Sequence, residues 1–142
     1  MTRAAKGVVI TGASGGLGRA VALAYATNFP DEDIHYILSG RRVDELKVTE
    51  DLIIQRKTES QQITCKHVFA DLSDVSDLAN VAKQLFDFGA VQLNSVVFIN
   101  NAGSLGPVRP IGDDMHTADE YIKAFNLNVT SSCFLTSEFV RQ

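Results

Sequence analysis

No run of about 18 consecutive apolar residues, the length a membrane span needs, occurs anywhere in the chain. The opening Met1-Thr2-Arg3-Ala4-Ala5-Lys6 also leads straight into the first apolar run without a signal-type segment. A soluble, cytoplasmic protein is the expectation. Basic charge is equally scarce: 13 Lys and Arg against 17 Asp and Glu leave a formal charge of −4, and the only tight cation pair before residue 50 is Arg41-Arg42. Such a chain lacks the field that draws in a nucleic-acid backbone, so neither nucleic acid nor membrane is expected as a partner. Cysteine is rare. Cys65 and Cys133 are far apart, with no Cys-x-x-Cys and no nearby histidine pair, while His35, His67 and His116 are scattered. No metal site is expected; both thiols read as reduced, buried small hydrophobes and the histidines as surface or half-buried groups. Internal repeats, low-complexity segments and linkers are lacking as well, so residues 1–142 read as one domain. With 45% hydrophobic and 21% charged residues, that length suffices for a proper core.

What is present is concentrated near the start. Thr11-Gly12-Ala13-Ser14-Gly15-Gly16-Leu17-Gly18 follows the apolar run Gly7-Val8-Val9-Ile10 and precedes a helical pattern through Leu17, Val21, Ala24 and Tyr25. Glycine lets the backbone turn sharply and approach a ligand closely, and the helix that follows aims unpaired N–H groups at a pyrophosphate. A dinucleotide site is the leading reading, with an ordinary glycine turn as the alternative. The Gly-x3-Gly-x-Gly spacing differs from the general Gly-x-Gly-x-x-Gly fingerprint.

Apolar runs and helical patterns alternate along the chain. Strands are expected at 7–11, 34–39, 63–70 and 94–100, and helices at 16–28, 43–58, 74–87 and 117–140. This order gives an α/β fold, a Rossmann-type doubly wound parallel sheet. Val8-Val9-Ile10 and Val96-Val97-Phe98-Ile99 are continuously apolar, so both strands are expected to be central. Ile63, Cys65, His67 and Phe69 alternate with Thr64, Lys66, Val68 and Ala70, which suits a sheet edge. Right-handed crossovers then predict the strand order 3-2-1-4, with a crevice above the C-terminal ends of strands 1 and 4. The glycine loop and Asn100-Asn101-Ala102-Gly103 both open onto it. Thr117 with Glu120 forms a capping-box pattern, and Ser73 is placed to cap the helix carrying Val75, Leu78, Ala82 and Leu85. The glycine- and proline-bearing stretch 101–116 leaves the crevice side as a lid or as a surface loop.

In dinucleotide folds the end of strand 2 separates the two nicotinamide coenzymes: an acid holds a ribose 2′-OH, a cation accommodates a 2′-phosphate. Here that end reads Leu38-Ser39-Gly40-Arg41-Arg42, without an acid, and Arg41 lies 23 positions beyond Gly18. A planar guanidinium grips phosphate through two hydrogen bonds, so NADP(H) is expected over NAD(H). The alternative is that both arginines merely solvate the strand end. Asp71, after strand 3, either accepts a hydrogen bond from adenine or serves as a turn residue.

Thr11-Gly12-x3-Gly16-x-Gly18, Asp71-Leu72, Asn100-Asn101-Ala102-Gly103 and Asn128 stand in the order and at the separations of the short-chain dehydrogenase/reductase family, which the chain resembles throughout. The run Ile99 to Gly106, with Asn128-Val129-Thr130-Ser131 and Leu135-Thr136-Ser137, looks most like the sepiapterin-reductase and related carbonyl-reductase branch. The resemblance implies an NADPH-dependent reductase of a small carbonyl substrate, a pterin side-chain ketone or a dicarbonyl. It places Gly12, Ala13, Ser14, Gly15, Gly16, Leu17 and Gly18 around the pyrophosphate, Arg41 and Arg42 at the 2′-phosphate, and Asp71 and Leu72 at the adenine. Asn101, Ala102 and Gly103 would line the ribose and nicotinamide side, Asn101 also bracing the central strands; Asn128 would help position a water in the proton relay. The family also implies a homo-oligomer joined through the last helix. Gly15 departs from the branch, which tends to carry an arginine there.

One element of that chemistry is missing. The forming alkoxide needs an acid, which the family supplies as tyrosine with a lysine four residues on. Tyr25, Tyr36 and Tyr121 are followed at that spacing by Phe29, Gly40 and Phe125. The expectation is the N-terminal portion of a single-domain reductase, inactive by itself; the alternative is a short NADP(H)-binding or interaction module without turnover.

Overall fold

The computed structural model describes residues 4–106, 108–112 and 117–142. Strands β1 (Ala5–Thr11), β2 (Asp33–Gly40), β3 (Ile63–Phe69) and β4 (Ser95–Ile99) form one sheet in the order β3-β2-β1-β4. All pairs are parallel, and the register aligns Thr11 with Ser39, Gly40 with Phe69 and Ile10 with Ile99. The expected order is therefore found, and the four C-terminal strand ends finish along one rim.

Each strand after the first is reached through helix. On one face α1 (Gly16–Asn28) and α2 (Val43–Ile54) cover Val8, Ile10, Tyr36 and Leu38. On the other, α3 (Leu78–Leu85) and the last helix cover Val9, Ile37 and Val68. Alternation along a strand sends successive side chains to opposite faces, so a run such as Val8-Val9-Ile10, 0% exposed throughout, requires helices on both sides. Ala22 and Ala26, four apart on α1, are buried, and their small side chains let that helix lie close enough for the Tyr36 hydroxyl to donate to the Ala22 carbonyl at 3.0 Å.

Several boundaries differ from expectation, for local reasons. The helix expected at 74–87 begins only at Leu78, because the Asp71 carboxylate accepts from the Ser73 amide and hydroxyl and the Asp74 carboxylate from the Ser76 amide. Two successive aspartate turns offer the backbone an alternative to the helix. Ser73 is thus occupied in the first turn and does not cap α3, whose N-cap position is Asp77. α2 stops at Ile54, letting the chain turn so that Gln61 donates to the Phe29 and Glu32 carbonyls. The expected helix 117–140 is α4 (Ala118–Phe125), a π turn (Asn126–Thr130) and α5 (Ser131–Val140). Thr117 and Glu120 form the expected capping box.

Two expectations are corrected. Among the described strands β4 is outermost, beyond β1, and Val96 is 38% exposed. Its apolar run is explained on one face by Phe98, which packs against Phe86 and Phe139 at ring separations of 5.2 and 5.5 Å. Cys133 is exposed on α5, while Cys65 is half-buried on β3; both are free. His35 meets the Thr64 hydroxyl at 2.8 Å and His67 lies 3.1 Å from Glu50, both half-buried; His116 lies outside the described residues, as does part of the stretch 101–116. No group of three potential metal ligands occurs among the described residues.

Candidate coenzyme-binding site

The rim formed by the C-terminal ends of the strands carries a cavity of about 380 Å³. One wall is the glycine loop, Gly12 with Ser14 to Leu17; the second is the end of β2, Ser39 to Arg42. Ala70 and Leu72 follow β3, and Asn101, Ala102, Gly103 and Leu127 close the far side. The direction of winding reverses between β1 and β4, so the loops after these strands diverge and leave a crevice.

Hydrogen bonds across the strand ends build this mouth. The Thr11 hydroxyl, fully buried, accepts from the amides of Asn101 and Ala102 at 3.0 Å each. The Asn101 carboxamide donates to the Thr11 and Gly12 carbonyls at 3.0 and 3.3 Å. Its side chain therefore braces the two central loops. The glycines have distinct physical roles. Gly12 and Gly16 hold φ of 68° and 52°, in the left-handed region that glycine enters freely. Gly18 is helical, but a Cβ there would overlap the Gly12 carbonyl oxygen, so its lack of a side chain is what brings α1 under the loop.

The N-terminus of α1 faces this loop with no side-chain cap and no acid in its first turn. The opening amides of a helix have no intrahelical partners and carry partial positive charge, so this end favours an anion. Arg41 and Arg42 add two guanidinium groups on the adjoining wall. Among the described residues no carboxylate lines the cavity. The rim thus presents donors and cations to a ligand with several phosphate groups, beside the apolar Ala70 and Leu72.

Most residues expected at the site meet here. Ala13, Gly18, Asp71 and Asn128 do not line the cavity. Ala13 is buried in the core and Gly18 lies beneath the loop. The Asp71 carboxylate is held below the usual carboxylate range by its hydrogen bond from the Ser73 hydroxyl, with the Ser73 amide and Arg41 acting in the same sense. Asp71 thus forms a turn with Ser73. Asn128 sits in the π turn, accepting from the Ser104 amide at 2.9 Å and donating to the Ser104 and Ala124 carbonyls at 2.8 and 3.0 Å. Its carboxamide locks the loop after β4. Ser39, Gly40, Ala70 and Leu127 line the cavity as well; the first three stand at or just after strand ends beside a marked motif and Leu127 lies in the π turn, positions that carry no compositional signal.

A parallel α/β sheet with a glycine loop at its switch point, and cations on the adjoining end of β2, defines a Rossmann-type nucleotide-binding domain. The chain belongs to the short chain dehydrogenase family, whose pattern it matches over residues 6–142. Members of this oxidoreductase family bind NAD(P)(H). Among curated relatives it is 29% identical over 135 residues to benzil reductase ((S)-benzoin forming) of Bacillus cereus and 31% identical over 134 residues to sepiapterin reductase of Bos taurus. Each alignment takes in 94% of this chain and 49% of the relative, so the chain spans about half the length of these proteins. The bulky-bulky ketone specific alcohol dehydrogenase from Comamonas testosteroni superposes with a TM-score of 0.68 at 26% identity, over 96% of this chain and 48% of that one. No helix among the described residues is long and apolar enough to cross a membrane.

Proposed function

We propose that the chain is the coenzyme-binding portion of an NADP(H)-dependent reductase of small carbonyl compounds, with a pterin side-chain ketone or a dicarbonyl as the substrate class. The observation that carries the coenzyme choice is the pairing of Arg41 and Arg42 with the glycine loop around one cavity, which no carboxylate among the described residues lines. An acid at the end of β2 would favour a free ribose 2′-OH; two guanidinium groups favour its phosphate. The loop amides and the α1 N-terminus would hold the diphosphate, Leu72 and Ala70 would flank the adenine, and Asn101 to Gly103 would border the ribose and nicotinamide. Asn128 would serve the proton relay from the π turn by fixing the loop at Ser104. The bound coenzyme supplies the hydride.

These 142 residues contain no Tyr-x-x-x-Lys to protonate the alkoxide, so the reading assigns binding, not turnover, to them. Homo-oligomerisation through α4 and α5 belongs to the same reading, supported by the exposed apolar side chains of Ile122 and Phe125 on α4 and Val140 on α5, which stand 57, 67 and 77% exposed. Calorimetric titration with NADPH and NADH tests the coenzyme assignment: tighter NADPH binding is expected, and equal affinity or a preference for NADH would overturn it. A reductase assay with sepiapterin or benzil should show no turnover by this chain, and activity in a protein that adds the Tyr-x-x-x-Lys segment. Turnover by the 142 residues would refute the assigned division of labour, and coenzyme binding without turnover in the longer protein would favour the binding-module alternative.

A further inference from the structure

Arg19 follows the last glycine of the loop, yet its guanidinium does not line the cavity. It turns behind the loop. Nε donates to the Thr49 hydroxyl at 2.9 Å, and Nη2 donates to the Ser14 carbonyl at 2.9 Å and pairs with the Glu45 carboxylate at 2.6 Å. Thr49, fully buried on α2, donates in turn to the Ala13 carbonyl at 2.8 Å. The carbonyls of Ala13 and Ser14 are therefore both held from behind by one network anchored on α2. In a planar trans peptide the carbonyl and the next residue's N–H point in opposite directions, so this grip aims the Ser14 and Gly15 amides away from the clamp.

The same network holds the start of α2, which carries Arg42 at its N-cap. Arg42 Nη2 lies 3.5 Å from the Ser14 carbonyl that Arg19 already occupies. Two guanidinium groups converging on one oxygen repel each other; Glu45 neutralises Arg19 and leaves the Arg42 charge available to a ligand. The Arg19–Glu45 side chains are only 23 and 33% exposed, so this compensation is less screened than a surface pair. A lysine could reach one of these partners but lacks the fork that joins Thr49, Ser14 and Glu45.

We infer that Arg19 is a positioning residue: by bridging the glycine loop to α2 it holds the diphosphate cradle in register with Arg41 and Arg42, coupling diphosphate binding to 2′-phosphate recognition. This rests on the coenzyme reading above. The test titrates NADPH and NADH calorimetrically against the full chain and its Arg19→Met, Arg19→Lys and Thr49→Val variants, each first checked by far-UV circular dichroism and thermal melting. A coupling of ordinary size predicts that Arg19→Met lowers the NADPH-over-NADH affinity ratio by about tenfold, because NADPH loses both contributions and NADH only one. Arg19→Lys should restore part of the ratio. Thr49→Val, which removes the hydroxyl at the far end of the network, should lower it in the same direction and carries the test should the Arg19 variants not fold. Equal weakening of both coenzymes, or no weakening, overturns the coupling while leaving the coenzyme reading intact. An unmodified chain without preference for NADPH overturns that reading, and the coupling with it.

Discussion

Replacing each glycine of the loop by alanine in turn should give a graded loss of stability whose order the geometry sets. Gly15 has φ of 169°, extended backbone open to any residue, and an added Cβ would meet only Arg42 Nη2 at 3.6 Å. Gly15→Ala should stay within about 0.5 kcal/mol of the parent, since a compatible Gly→Ala change also restricts the unfolded chain. Gly16 sits at φ 52° with nothing within 4 Å of an added Cβ, so strain is the whole penalty, about 1–2 kcal/mol. Gly12 combines φ 68° with contacts of 2.9 Å to Asn101 Nδ2 and 3.0 Å to the Ala102 Cα. Adding about 1–3 kcal/mol of overpacking to the same strain gives about 2–5 kcal/mol. Gly18 has no left-handed strain, but its Cβ would overlap the Gly12 carbonyl, backbone that moves only if α1 or the loop shifts. That change should cost about 3 kcal/mol or more and displace the loop from the helix end. Urea unfolding of the four variants, followed by far-UV circular dichroism, reads the order directly. A Gly18→Ala midpoint matching that of Gly15→Ala would refute the claim that helix-to-loop contact, and not turn conformation, requires the last glycine.

Three further outcomes follow from the described contacts. Thr11→Val strips the amides of Asn101 and Ala102 of their shared acceptor and should cost about 1–3 kcal/mol by the same urea assay, whereas Thr11→Ser should recover most of it; equal loss in both variants would exclude the hydroxyl as the cause. Burial, aided by the Glu50 carboxylate, pushes the Cys65 thiol up to about 12, so iodoacetamide at neutral pH should label exposed Cys133 first and Cys65 only as the chain unfolds. Equal labelling rates in the folded chain would contradict this. Hydrogen bonds from Ser73 to Asp71, from Ser76 to Asp74 and from Gly89 to Asp87 hold these carboxyls below the usual range. A folded pKa below the unfolded value contributes stability that is present above about pH 4 and lost as pH falls through the folded value, so acid should destabilise the chain. Asp71→Asn should flatten thermal melting against pH below about 4, and an unchanged slope would remove Asp71 from the effect.

Local pattern carried much of the architecture. Continuous apolar runs marked β1 and β4, alternation in Ile63 to Phe69 marked an outer strand, and the Thr117–Glu120 pair marked a helix start that forms with both hydrogen bonds in place. These features depend on neighbours a few residues apart, and the crossover rule extends them to strand order. Apolarity in Val96 to Ile99, by contrast, showed that β4 needs cover but not where it lies in the sheet. The start of α3 also escaped the periodic pattern, because the aspartate turns at 71 and 74 compete with the helix in a way that helical spacing does not register.

The amino-acid order by itself determined which segments become strands and helices, that a glycine loop ends the first strand, and that a pair of cations follows the second. Only the folded molecule decided which of these groups face one another. Asp71 turned back onto Ser73, Asn128 closed onto Ser104, and Arg19 reached Glu45 and Thr49, residues 26 and 30 positions away. Side-chain partners so distant along the chain are chosen by where the parallel strands deliver α1 and α2, a consequence of packing that leaves no periodic trace in the sequence.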